Sequence, residues 1–174
     1  ADIVYNCAAW ISITPGMYEK LRKVNVDGVV NVLNACKLNK VRKLVHVSSI
    51  EALGDPGEGV VATEEMGFNP DRAMLEYGIT KAEASLLVQK EAEKGLDVVT
   101  VCPVGIIGPY DFRPCQMGTM IMDFKKGKLP AYPGYGGFDW VDVRDVAQGI
   151  LLAGEKGKKG EFYILTGGHT TNRE

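Results

Sequence analysis

The sequence predicts an α/β fold, a parallel sheet with helices on both faces. Three observations lead there. Short apolar runs alternate with stretches of helical periodicity along 174 residues. The apolar runs show little polar alternation, as strands buried on both faces do not. The order strand, helix, strand, helix suits crossover connections between parallel strands. Hydrophobic residues make up 45% and charged ones 24%, with a net charge of −2. That balance fits one globular domain and offers no basic field for nucleic acid or an anionic membrane. No apolar run reaches the roughly 20 residues of a membrane helix.

Each element has its own signature. Residues 2–8 form a short apolar strand. Residues 16–38 repeat Leu21, Val24, Val29, Val32, Leu33 and Cys36 at helical spacing. Residues 43–48 are a second strand, and 50–72, rich in Gly, Glu and Pro, a long loop. Residues 73–94 are a helix with Leu75, Ile79, Ala82, Leu86 and Leu87 on one face and Gly95 as its stop. Residues 97–102 are a strand ended by Pro103. A loop follows over 105–114, a helix over 118–126 and an irregular stretch over 129–138. Residues 143–155 are helical and 161–165 a strand. Thr171 reads as an N-cap with Glu174 at the third helical position, so the chain looks cut at both ends.

Cys7, Cys36, Cys102 and Cys115 form no CxxC pair. Reduced thiols in a cytoplasmic compartment are expected, with Cys7 and Cys102 in the core. His46 and His169 lie far apart, which argues against a metal site.

The chemistry gathers at strand ends, where open α/β sheets bind ligands. Among seven tyrosines, only Tyr77 has a lysine four residues on, Lys81. On a helix both face one side. An ordinary phenol, with a pKa of about 10, is a poor acid–base catalyst at neutral pH, and a nearby ammonium lowers it. Ser49, ending the second strand, is a neutral donor for a carbonyl oxygen. Taken alone, the Tyr–Lys spacing also fits an exposed helix pair.

These residues resemble the extended short-chain dehydrogenase/reductase superfamily of NAD-dependent epimerases, dehydratases and reductases. The resemblance runs through Asn6-Cys7-Ala8-Ala9, Asn25-Val26-Asp27-Gly28, Val47-Ser48-Ser49, Tyr77 to Lys81, Pro103 to Pro109 and Asp142 to Ala147. It implies a partial Rossmann-type doubly wound sheet without its N-terminal strands. It also implies Ser49, Tyr77 and Lys81 as catalytic residues. NAD or NADP would lie against Ala8, Ala9, Ser48, Lys81, Pro103, Val104, Gly105 and Ile106. Asn25 either holds a water near the site or ties its helix to a strand. Asp145 is expected as a charge at a helix N-terminus.

Residues 113–132 resemble the dihydroflavonol-reductase-like branch. Where sugar-nucleotide enzymes commonly carry a diphosphate-gripping arginine, this chain has Phe138, and Glu51 stands where they often carry Ser or Thr. Glu51, Met117, Tyr132 and Phe138 are therefore the expected substrate contacts, near Tyr135 and Trp140. Met120 and Met122 read as core. The expected substrate is an apolar small-molecule ketone or aldehyde. A nucleotide-sugar epimerase or dehydratase is the alternative, and a non-catalytic cofactor-sensing module a further one. No GxxGxxG occurs. The chain thus reads as a catalytic half, inactive alone, with the start of a substrate lobe over about 105–140 and 161–174. By the same resemblance, helices 16–38 and 73–94 would form a homodimer interface.

Overall fold

The computed structural model describes residues 1–112, 115–128 and 136–171. Four parallel strands form the main sheet in the order β1 (Ile3–Asn6), β2 (Lys43–Val47), β3 (Val98–Pro103), β6 (Phe162–Leu165). Leu44 and Val98 point to helices α2 (Asp27–Leu38) and α3 (Glu76–Glu93), packing with Val29, Leu33 and Val88. Val45, Val99 and Val101 point the other way and meet Ala153 of α5 (Val143–Lys156). Two covered faces leave no position for polar alternation, hence the continuous apolar runs.

The stretch expected as one helix from 16 divides into α1 (Tyr18–Asn25) and α2 at Val26. It starts late because Gly16, at φ +78°, turns the chain in. The Glu76 carboxylate then accepts the Gly16 and Met17 N–H groups at 3.0 and 2.7 Å. Val24, expected on the inner face, is exposed.

α3 begins at Glu76 rather than 73, after a 3-10 turn at Pro70–Arg72. Of the expected stripe Leu75, Ile79, Ala82, Leu86 and Leu87, Ala82 is fully buried, and Leu86 and Leu87 pack partly buried against the core. Gly78, Thr80, Lys81, Ala84, Ser85, Val88 and Ala92 are buried beside it, a face the apolar pattern did not mark. Most of these side chains are small or hydrogen-bonded, so the helix backbone approaches its neighbours closely. Gly95 ends it at φ +114°, as the sequence predicts.

The 50–72 loop is part of the core: Ala52, Leu53 and Phe68 are buried, and Phe68 packs on Phe162 with ring centroids 4.5 Å apart. Glu64 in this loop accepts the Ile164 N–H at 2.9 Å within β6, the edge strand of the sheet.

A second sheet was not expected. β4 (Gly105–Ile107) pairs parallel with β5 (Gly137–Asp142), and β5 pairs antiparallel with β7 (Gly168–Thr171). Its strands are short, glycine-rich and distant in sequence, so no local pattern marks them. Helix α4 (Gln116–Lys125) starts near its expected place. Met120 and Met122 on it are exposed, contrary to the core expectation, and so is Cys7 after β1. Asp142 caps α5, and Asp145 lies in its first turn as expected. Arg144 clamps the Asp142 carboxylate through Nε at 2.8 Å and a second guanidinium nitrogen at 2.6 Å, holding its pKa down at about 2. The helix expected after Thr171 lies outside the described residues. Among them, no helix is long and apolar enough to cross a membrane.

Candidate active site

The two serines after β2 do different things. Ser48 is buried, with its Oγ 2.7 Å from Ser85 Oγ. Ser85 spends its proton on the Lys81 carbonyl at 2.8 Å, so Ser48 is the donor to Ser85. Ser48 thus fastens the end of β2 to α3. Ser49 has extended backbone and caps the 3-10 turn Ile50–Leu53, its Oγ accepting the Glu51 N–H at 3.3 Å. Its hydroxyl also lies close enough to the Tyr77 phenol to favour the phenolate.

Tyr77 is held in place by its neighbours. A Cβ on Gly78 would lie 2.9 Å from the Glu51 carbonyl oxygen, so α3 and the turn after Ser49 touch backbone to backbone. Thr80 donates to the Tyr77 carbonyl at 2.9 Å and accepts from Asn25 at 3.1 Å. Asn25 also spans both main-chain groups of Trp10, at 2.8 and 3.0 Å. Asn25 makes a tie, but to the chain after β1 and to α3 rather than to a strand as expected.

Lys81 is 2% exposed, and its ammonium donates to the Val47 carbonyl at 2.7 Å. Burial lowers its pKa to about 8, against the pull of Cys102 and Cys7. Burial pushes Tyr77 up to about 12, with the nearby Ser49 hydroxyl opposing and the Glu51 charge adding. The expected lowering of Tyr77 by Lys81 does not occur in this geometry: the ammonium is turned to Val47, and burial dominates. Burial also raises Glu51 and takes the Cys102 thiol up to about 12.

Beside this group lies a cavity of about 290 Å³ lined by Ile50, Glu51, Val104, Gly105, Met117, Gly137, Phe138, Asp139 and Trp140. Glu51, Met117 and Phe138 thus line one cavity, while Tyr132 lies outside the described residues. Ile50, Gly137 and Asp139 were missed. Ile50 had the signal of following Ser49; Gly137 and Asp139 flank Phe138 on a strand that was not foreseen. Phe138 packs on Trp140 with centroids 5.4 Å apart. Gly105 has no room for a side chain, since a Cβ would sit 2.9 Å from the Trp140 ring.

Pro103 is the buried last residue of β3. Ile106 pairs with Val141 in the second sheet and does not line the cavity. Ala8 and Ala9 follow β1 with exposed, small side chains. The residues after β1 thus carry small exposed side chains, while the Lys81 ammonium lies buried on the Val47 carbonyl. Among the described residues no group of three metal-ligating side chains occurs.

Comparison with known proteins agrees with this arrangement. A model of the NAD dependent epimerase/dehydratase family matches residues 1–165. Sterol demethylase protein B of Methylococcus capsulatus is 40% identical over 168 residues, 97% of this chain and 51% of that protein. A Synechocystis sp. relative carrying the name of a dihydroflavonol 4-reductase is 34% identical over 166 residues, 93% of this chain and 48% of that protein. The crystal structure of gox2253 superposes with a TM-score of 0.89 at 35% identity, over 98% of this chain and 52% of that one. The chain spans about half the length of the curated relatives it matches. From its strand-end site, its parallel sheet and its match along residues 1–165, this chain belongs to the NAD dependent epimerase/dehydratase family.

Proposed function

We propose that the chain carries the acid–base half of an NAD(P)-dependent oxidoreductase that delivers hydride to the ketone or aldehyde of an apolar small molecule. The observation that carries this reading is the position of Ser49, close enough to the Tyr77 phenol to oppose the rise of its pKa, beside a cavity walled by Ile50, Val104, Met117, Phe138 and Trp140. The nicotinamide supplies the hydride when bound. Ser49 orients the carbonyl oxygen. Tyr77, its pKa at about 12, is a neutral phenol at physiological pH and so holds a proton for the alkoxide that reduction creates. Lys81 binds the ribose and keeps a positive charge beside the site. Glu51, Met117, Phe138 and Tyr132 contact the substrate.

The wall supports an apolar body rather than a nucleotide diphosphate, because Phe138 offers no bidentate cation for phosphate. The relatives named for sterol and dihydroflavonol chemistry point the same way. The alternative is a nucleotide-sugar epimerase or dehydratase. A cofactor-sensing role is disfavoured because Tyr77 and Lys81 are both present.

The test is titration of the chain with NADPH and NADH, followed by Trp10 and Trp140 fluorescence. Micromolar saturable binding, followed by NAD(P)H oxidation with cyclic apolar ketones, supports the proposal. Turnover of UDP- or dTDP-sugars with no ketone reduction overturns it in favour of the alternative. Without a glycine-rich loop in its sequence, the chain alone is expected to turn over poorly, so the same assay belongs on any longer form carrying it.

A further inference from the structure

Under the acid–base group lies a buried polar row that the proposed chemistry does not use. Asn6, His46 and Thr100 are register partners across β1, β2 and β3, each at least nine-tenths buried. They share the α2–α3 face, two residues along from Leu44 and Val98. Asn6 Nδ2 lies 3.4 Å from His46 Nδ1. An amide NH₂ only donates, so Nδ1 is the acceptor and the ring proton sits on Nε2. That Nε2–H is wholly buried and meets no partner among the described residues. Buried donors without acceptors are rare and costly.

A further buried donor near the ring is Lys81, whose charge acts on His46. Its ammonium reaches the carbonyl of Val47, the residue next to His46, and that single bond leaves two ammonium protons. Two donors cannot satisfy each other. A water can serve both: it accepts from each and passes a proton to a neighbouring hydroxyl, and Thr100 stands on that face.

We propose that His46 is a positioning residue for Lys81, acting as a neutral Nε2–H imidazole through one internal water that both groups hold. The ring stays uncharged because burial, and then the Lys81 charge, take its pKa down to about 3. The titratable groups facing Lys81 are His46 on β2, Cys102 on β3 and Cys7 after β1. None carries a competing positive charge, so the water is the group that keeps the ammonium solvated. The functional meaning rests on reading Lys81 as the lysine of the acid–base pair; the tautomer and the water do not.

Three measurements on the intact chain test it, none requiring turnover. Long-range ¹H–¹⁵N spectra of the imidazoles should show His46 protonated on Nε2, with a water cross-peak to that proton. The Nδ1–H tautomer, or a dry Nε2–H, overturns the proposal even if every variant fails to fold. ¹³Cε-lysine titration should show Lys81 losing about tenfold in proton affinity in His46→Phe, and regaining most of it in His46→Gln, which restores an N–H donor. An unchanged Lys81 midpoint in folded His46→Phe, or no recovery in folded His46→Gln, also overturns it.

Discussion

Lys81 donates its ammonium to the main-chain carbonyl of Val47 at 2.7 Å, and this bond sets the rest of the site. It draws α3 onto the end of β2. Tyr77 lies one helical turn before Lys81, and Ser49 two residues after Val47, so this bond holds the segments that carry the phenol and the hydroxyl side by side. A buried cation resting on a neutral carbonyl has a cost, because desolvation disfavours the charged form.

That cost makes the Lys81→Met variant informative. The lysine pKa is lowered from 10.5 to about 8. Between those values the unfolded chain binds the proton and the native chain does not, so stability contributed at this site rises with pH. Lys81→Met is expected to be more stable than the parent chain by about 1–3 kcal/mol at pH 7, with the gap closing by pH 10. Urea denaturation at the two pH values measures it, and a gap independent of pH contradicts a depressed Lys81.

Tyr77 titrates in the opposite sense. Its pKa is raised from 10.0 to about 12, so from pH 10 to 12 the native chain keeps a proton that the unfolded chain has lost. Stability contributed by Tyr77 is therefore full below pH 10 and lost toward 12. Tyr77→Phe should weaken this alkaline loss, read as a smaller fall in urea midpoint between pH 10 and 11.5. In any form that turns over, the same variant should lose about 10²–10⁴ in kcat and still bind NADPH. Unchanged kcat would exclude Tyr77 as the proton donor.

Gly78 tests the backbone contact between α3 and the turn after Ser49. A Cβ there meets the Glu51 carbonyl at 2.9 Å and the Ala73 side chain at 3.2 Å. Alanine is normally favoured over glycine inside a helix. Here Gly78→Ala should instead destabilise by about 1–3 kcal/mol, because the helix must move off the turn. Thermal unfolding decides the sign, and a stabilised variant would show the contact to be looser.

The homodimer implied by resemblance gives a further expectation. Val24 on α1 and Val30 on α2 are more than a third exposed, although both are apolar and on helices. If this face pairs two copies, the chain sediments as a dimer at micromolar concentration and Val24→Glu with Val30→Glu gives a monomer of unchanged circular dichroism. A monomeric parent chain would remove the dimer reading.

Much of the scaffold was legible from residue order. The four apolar runs became the four parallel strands because strands covered on both faces are continuous hydrophobic segments. Gly95 stopped α3 because a left-handed residue there needs no Cβ. The inner face of α3 was legible only in part: Gly78, Lys81 and Ser85 carry no hydrophobic signal, and their burial depends on how close the helix comes to Glu51 and Ser48. The second sheet was missed for a related reason. Gly105 and Gly137 look like loop residues until partners far along the chain supply their hydrogen bonds.

Local chemistry thus determined the fold class, the Tyr77–Lys81 spacing and the serine at the strand end, since periodicity and residue type are properties of short segments. The tertiary structure decided the protonation states and the shape of the site. Lys81 was expected to lower Tyr77; instead burial raises the phenol, and the ammonium faces Val47. Desolvation depends on every atom packed around a group, and those atoms arrive from β1, β2, β3 and α3 together. The proton on His46 belongs to the same class of fact, because only the strand register places Asn6 beside the ring.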